Sequence, residues 1–223
     1  NDPGEITIWA KPSQPRDDMT VWLRVKDGQD RFTQVRMGTL AIQNEWQQLT
    51  GDLGAAFGSI RGEPPFSLHS LFMTEIFGGT FGDPGFILFD AIEVTDSTGA
   101  PFVSTEAGGL KRDFEMTGLG WQRIEVRSDR LDEIEQVQTD DAISGDHVLK
   151  FTWALGSSTG RRGFFVEDSG LCPGGTRCRV PVVASSNFLE DRRLEVGSTA
   201  SLRIRDLVVP VVVVEEAEFF PTI

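Results

Sequence analysis

One run of residues has the spacing of a serine nucleophile. Residues 156–160 read Gly-Ser-Ser-Thr-Gly, which matches the G-x-S-x-G motif and puts Ser158 at its centre. That chemistry needs a sharp turn from a strand into a helix, with a histidine base nearby. Residues 161–167 contain Gly163 and have the composition of another strand, which favours a hairpin loop instead. We therefore predict no catalytic residue and expect that the chain is not an enzyme.

The chain has two histidines, His69 and His147, and either imidazole could act as a base or a metal ligand. His147 directly follows Asp146 on a polar stretch. A histidine beside an acid on a polar turn is usually solvated. We therefore expect neither histidine to have a chemical role.

Acidic residues are concentrated between positions 125 and 146, where the sequence holds eight carboxylates and two arginines. The whole chain has a formal net charge of −13 at pH 7. This charge repels nucleic acids and anionic membrane surfaces, so neither is expected as a partner. We interpret the stretch as a solvated face. The alternative is a cation site, but the spacing differs from that of a calcium-binding loop.

Two further carboxylates, Asp83 and Asp90, are weak candidates for a structural calcium site. Asp83 lies in a glycine-rich segment, and Asp90 lies in a strand-like run. Calcium needs six or more oxygen ligands, and the sequence shows only isolated candidates. We therefore predict no cofactor, with a structural calcium ion as the alternative.

The two cysteines, Cys172 and Cys178, are separated by five residues rich in glycine and proline. Such a segment can fold back and bring the two sulfurs together, whereas a zinc site would need two more ligands. The spacing therefore predicts a Cys172–Cys178 disulfide, with free thiols as the alternative. A disulfide would fit an oxidising, extracytoplasmic compartment.

The elements that must position these residues are mostly strands. Apolar and polar residues alternate in several short segments, and turn residues separate the segments. The predicted strands are residues 5–10, 20–26, 32–40, 45–49, 66–75 and 86–94. Regular short strands between such turns indicate a β-sandwich.

The first hundred residues resemble the jelly rolls of carbohydrate-binding modules. The resemblance rests on residues 22–25 (Trp-Leu-Arg-Val) followed by Asp27-Gly28, on Trp46 with Leu49, and on the run 85–94. It implies a glycan-binding surface built on exposed aromatic rings. Trp9 lies near a strand end and could be such a ring, but the chain has no tyrosine.

The last forty-five residues resemble the extracytoplasmic core of FtsX/MacB-like permease subunits of bacterial ABC transporters. An apolar run at 180–184 leads to Phe188-Leu189, then to residues 196–198 (Val-Gly-Ser), and finally to residues 220–222 (Phe-Pro-Thr). The resemblance implies a soluble domain of a membrane protein, flanked by membrane helices. The sequence further predicts a short helix capped by Asn187, a hairpin, and valine-rich strands at 180–184 and 208–214 that are neighbours covered on both faces.

Together these features predict a mainly β protein. A jelly-roll-like sandwich occupies residues 1–106, and a smaller, β-rich α+β permease-core lobe occupies residues 166–223. Residues 107–165 form a β-rich connection that could belong to either part. We expect a non-enzymatic extracytoplasmic domain at the cell surface or in the periplasm. Its partners would be its own membrane helices, a cytoplasmic ABC ATPase subunit reached through them, and an extracytoplasmic substrate or protein. The alternative is a surface glycan-binding module.

Overall fold

The computed structural model describes residues 3–58, 62–75, 84–101, 114–115, 121–124, 132–153, 162–166, 179–204 and 207–218. These residues are mainly β, as predicted. In chain order the strands are β1 Pro3–Pro12, β2 Arg16–Lys26, β3 Phe32–Leu40, β4 Gln47–Asp52, β5 Ser67–Glu75, β6 Gly85–Asp96, β7 Trp121–Arg123, β8 Glu133–Gln138, β9 His147–Trp153, β10 Arg162–Val166, β11 Val180–Ser185, β12 Thr199–Ile204 and β13 Leu207–Ala217. The helices are α1 Leu53–Ala56 and α2 Ser186–Arg192. None of the helices in the described ranges is long and apolar enough to cross a membrane.

The strands β1 to β10 form a sandwich of two five-stranded sheets. Sheet A has the order β4-β1-β6-β9-β8, and sheet B has the order β3-β2-β5-β10-β7. All the ladders described in these two sheets are antiparallel. The chain crosses repeatedly from one sheet to the other, which is the connectivity expected of a jelly-roll-like sandwich.

The alternating pattern that predicts these strands also fills the space between the sheets. Ile6, Ile8 and Ala10 alternate along β1 and are fully buried, as are Leu23 and Val25 on β2. Each such aliphatic side chain of valine size or larger stabilises the fold by roughly 1.5–3 kcal/mol. The six strands predicted from the sequence correspond to β1–β6, and most extend by one to four residues beyond the predicted bounds.

The strands β7 to β10 come from the segment whose place the sequence left open. The pair β9 and β8 extends sheet A beyond β6, and the pair β10 and β7 extends sheet B beyond β5. The segment 107–165 therefore supplies strands to the sandwich, whose last described strand ends at Val166.

The strands β11, β12 and β13 form a third sheet with a core of its own, which we call the C-terminal lobe. Its order is β11-β13-β12, with β11 parallel and β12 antiparallel to β13. Helix α2 follows β11, and its Leu189 joins a buried cluster with residues of the sheet. The two valine-rich segments are thus neighbours, and β12 and β13 form the expected hairpin.

Two details of the C-terminal lobe differ from the prediction. Helix α2 is capped by Ser185, whose hydroxyl accepts a hydrogen bond from the amide of Phe188, and not by Asn187. The valine-rich strands are also not covered on both faces, because Val180, Val183 and Val214 are 44–50% exposed. A continuous run of β-branched residues reflects strand propensity as well as burial, so it does not by itself require two covered faces.

Candidate functional site

The loop between β8 and β9 lies over the outer face of sheet A, and a buried carboxylate holds it there. On β1, Ile8 and Ala10 point into the core, so Trp9 and its ladder partner Asp90 on β6 face outward. Asp90 nevertheless has no exposed surface. Its carboxylate accepts hydrogen bonds from the amides of Ile143 at 2.7 Å and Ser144 at 3.0 Å, and from that of Ala91 at 2.6 Å.

A second anchor ties the same loop to the opposite edge of sheet A. Lys11 on β1 forms an ion pair with the side chain of Asp141. The indole nitrogen of Trp46, just before β4, donates to the carbonyl oxygen of Asp141 at 2.7 Å. The loop therefore reaches from the β8–β9 edge across β6 to β1 and β4.

The end of this loop brings together Glu115, Asp146 and His147. The Nδ1 atom of His147 lies 2.5 Å from Asp146 Oδ1 and 3.2 Å from Glu115 Oε2. The other oxygen of Glu115 accepts from the backbone amides of Asp146 at 3.0 Å and His147 at 2.9 Å. One ligand atom from each of the three residues lies within 4.8 Å of the others. We call these residues the Glu115–Asp146–His147 cluster.

Neighbouring residues fix the orientation of the two carboxylates. Gln138, the last residue of β8, donates its amide to Asp146 Oδ2 at 2.6 Å. Phe114, next to Glu115, is buried in the sandwich core, and its carbonyl oxygen accepts from the side chain of Gln136. The core thus holds the segment that carries Glu115 against the β8–β9 hairpin.

The electrostatics of the cluster favour a positive charge at its centre. The hydrogen bond with Glu115 raises the pKa of His147, burial opposes this, and Asp146 raises it further. The pKa of Asp146 is lowered by its hydrogen bonds with Gln138, Glu115 and His147, against some burial. At Asp90 burial raises the pKa, and the three backbone amides only partly offset that effect.

The predicted site residues are distributed as follows. Asp90 uses its oxygens to hold the β8–β9 loop, which favours a structural role over that of a calcium ligand. Asp83, Ser158, Cys172 and Cys178 lie outside the described residues, so the disulfide stays a prediction.

The expectation that His147 is solvated is wrong, because its side chain is only 25% exposed and contacts two carboxylates. Sequence reasoning also missed Glu115, which lies 31 residues from Asp146. The adjacent pair Asp146-His147 was the local signal, but only the fold brings Glu115 to it.

Gly145 makes the approach of Glu115 possible, so Gly145→Ala should disrupt the cluster. Gly145 has φ +67°, and a Cβ atom there would clash with the carboxylate of Glu115. Gly58 has a similar φ of +64°, and no atom of the described residues lies near the position of a Cβ. We expect Gly58→Ala to cost about 1–2 kcal/mol from backbone strain alone.

We expect Gly145→Ala to cost a further ~1–3 kcal/mol, because the Glu115 side chain must move away and give up its hydrogen bonds to two backbone amides. Urea unfolding of both variants measures the difference. Equal destabilisation of the two variants would contradict the contact between Gly145 and Glu115.

No family model, curated protein or solved structure matches this chain.

Proposed function

We propose that this chain is the extracytoplasmic domain of a bacterial ABC transporter permease and that it is not an enzyme. In this role it binds or gates an extracytoplasmic substrate or protein and relays movement to the membrane helices of the permease. A cytoplasmic ABC ATPase is then coupled to the domain through those helices. The proposal starts from the permease-like pattern of the last forty-five residues, and the geometry of the C-terminal lobe supports it.

The observation that carries the proposal is the parallel pairing of β11 and β13 in a lobe with its own core. Val180 pairs with Val211 and Val182 with Val213, so both strands run in the same direction. Among the residues that the structure describes, the buried ones of the lobe form a cluster that shares no member with the sandwich core. The chain therefore enters the lobe at one end of the sheet and leaves β13 at the other.

A contact between the two parts lies well before the end of β13. Ser201 Oγ lies 3.5 Å from the carbonyl oxygen of Arg123, at the end of β7. Ser201 is the ladder partner of Pro210, and β13 continues for seven more residues to Ala217. Seven extended residues span about 23 Å. A displacement of the sandwich at Arg123 would therefore act on the paired strands β12 and β13. These stiff strands would transmit the displacement toward the C-terminal end of β13.

Labelling of the full-length protein in its natural membrane tests the extracytoplasmic location. Ile42 in the sandwich and Val214 in the C-terminal lobe are 45% and 50% exposed, so a cysteine at either position can react with a maleimide. We expect a membrane-impermeant maleimide to label Ile42→Cys and Val214→Cys in intact spheroplasts. Leu189→Cys, at a position that is 4% exposed, is the control and should react only after unfolding. Labelling of the two exposed positions only after lysis would contradict the proposal.

A glycan-binding surface is a second candidate function, and one observation favours it. Trp9 faces outward from sheet A and is only half-buried. Lys11 lies on the same face of β1 and binds Asp141, which also accepts from Trp46. A partly exposed indole offers an apolar face with a polar edge, and a sugar ring could stack on such a surface.

If this face binds polysaccharide, the ligand should quench the tryptophan fluorescence of the wild type, and Trp9→Ala should weaken binding. Trp153→Phe, a change in the buried core, is the control and should leave binding intact. Equal binding by the wild type and Trp9→Ala would remove this candidate.

A further inference from the structure

The imidazole of His147 faces two carboxylates with a single nitrogen. An imidazole nitrogen carries at most one hydrogen, whereas Nδ1 lies within 3.2 Å of both Asp146 Oδ1 and Glu115 Oε2. One proton can serve only one of these oxygens well. Three potential metal-ligand atoms therefore face one position, and a single proton there cannot bond well to all three.

The three ligand atoms reach this position from two separate parts of the chain. Glu115 lies on a segment held by the core, and Asp146 and His147 lie at the start of β9. Two backbone amides occupy Glu115 Oε1, so its second oxygen is directed at the imidazole. Gln138 similarly binds one oxygen of Asp146 and leaves the other toward His147. Each of the two carboxylates thus has a partner that orients it from behind, as the supporting residues of metal sites do.

We propose that Glu115, Asp146 and His147 form a binding site for a divalent transition metal ion of the zinc class. Two ligands on a tetrahedral zinc ion at 2.0–2.1 Å are separated by about 3.4 Å. The distance of 3.2 Å between His147 Nδ1 and Glu115 Oε2 is close to that value. The distance of 2.5 Å to Asp146 Oδ1 is that of a direct hydrogen bond. This distance must lengthen by roughly 0.9 Å when a metal ion replaces the proton. The side chain of Asp146 is 53% exposed and therefore has room to move.

The donor set decides the class of metal. One imidazole nitrogen and two carboxylate oxygens suit zinc, nickel or copper(II), and three protein ligands leave a coordination position open to water or to a group of a partner. Calcium prefers six to eight oxygen ligands, and magnesium keeps most of its water, so neither is expected to compete. Bound metal would join the Glu115 segment to the β8–β9 hairpin and so stabilise this corner of the sandwich.

Calorimetric titration of the tag-free 223-residue chain with zinc chloride tests the proposal. We expect one zinc ion per chain in the wild type. We also expect at least a tenfold weaker affinity in Asp146→Asn and in His147→Gln. Among the described hydrogen bonds, the side chain of Asp146 accepts none from a backbone amide, so its variant should fold normally, and circular dichroism checks this for each protein. His69→Gln changes the other histidine of the chain and is the matched control, which should bind zinc like the wild type.

A second measurement distinguishes zinc binding at the three-residue site from non-specific binding to the acidic surface. Excess calcium should not displace zinc from the wild type, whereas nickel should. Absence of zinc binding, equal affinity in the wild type and Asp146→Asn, or loss of binding in His69→Gln would each overturn the proposal. The metal site does not depend on the proposed permease role, because these titrations need only the isolated chain.

Discussion

Asp27→Ala is expected to lower the free energy of unfolding by about 3–5 kcal/mol, because three backbone amides and one guanidinium would lose a buried acceptor. The side chain of Asp27 is fully buried at the end of β2. One oxygen accepts from the backbone amides of Gln29 and Arg31, and the other accepts from the guanidinium of Arg31 and the amide of Glu63. Removal of the carboxylate would take this partner from Arg31 and break one of the hydrogen bonds that join the β2–β3 turn to Glu63. Urea unfolding followed by tryptophan fluorescence measures the loss.

Asp18→Ala is the matched control for this change. Asp18 also binds an arginine, Arg16, through two hydrogen bonds, but its side chain is 43% exposed. Exposed ion pairs contribute only about 0.2–1 kcal/mol. If Asp18→Ala destabilised the protein as much as Asp27→Ala, burial of the Asp27 network would not be the cause.

The Asp27 network should also give the stability a defined pH dependence. Burial alone would raise the pKa of Asp27, but the hydrogen bonds from Arg31, Glu63 and Gln29 outweigh it and hold the pKa below its ordinary value. The stabilisation is therefore present above the unfolded pKa of about 3.9 and is lost as the pH falls through the lower, folded value. The difference in stability between the wild type and Asp27→Ala should stay constant from about pH 7 to 5 and shrink below about pH 4. A difference that grew on acidification would contradict this assignment.

Asp90→Ala should have the second large effect, a destabilisation of about 2–3 kcal/mol, because it leaves backbone donors without an acceptor. The amides of Ile143 and Ser144 bind the buried carboxylate of Asp90. Their hydrogen exchange should therefore accelerate in the variant more than that of the amides in the sandwich core. Asp140, exposed on the same loop, gives the control Asp140→Ala, which should change stability by less than about 0.5 kcal/mol. Similar effects from both changes would mean that Asp90 does not anchor the loop.

The sandwich was predictable because its strands face a core on one side and largely solvent on the other. Alternation at positions such as Ile6, Ile8 and Ala10 reports that geometry directly. The valine-rich strands of the C-terminal lobe carried less information. The sequence predicted that they are neighbours, but not their register, and the exposure of Val183 and Val214 depends on what packs against the sheet.

The candidate site was the least predictable feature. Asp146 and His147 are adjacent in the sequence, whereas Glu115 reaches them only because Phe114 is buried in the sandwich core. The role of Asp90 was equally hidden, since its partners are backbone amides of a distant loop rather than side chains. Backbone amides occur at almost every residue, so the sequence does not show which of them will bind a carboxylate. From the sequence, a cation was therefore the only partner suggested for Asp90.

Association with an ATP-hydrolysing subunit tests the central claim most directly. The full-length natural protein, purified from its source membranes in mild detergent, should co-purify in fixed stoichiometry with a subunit that hydrolyses ATP. Deletion of residues 179–218, which removes the C-terminal lobe, should change the rate of that hydrolysis without releasing the subunit, because the proposed membrane helices would hold it. Purification of the intact protein with no ATP hydrolysis above that of a mock preparation would contradict the permease role.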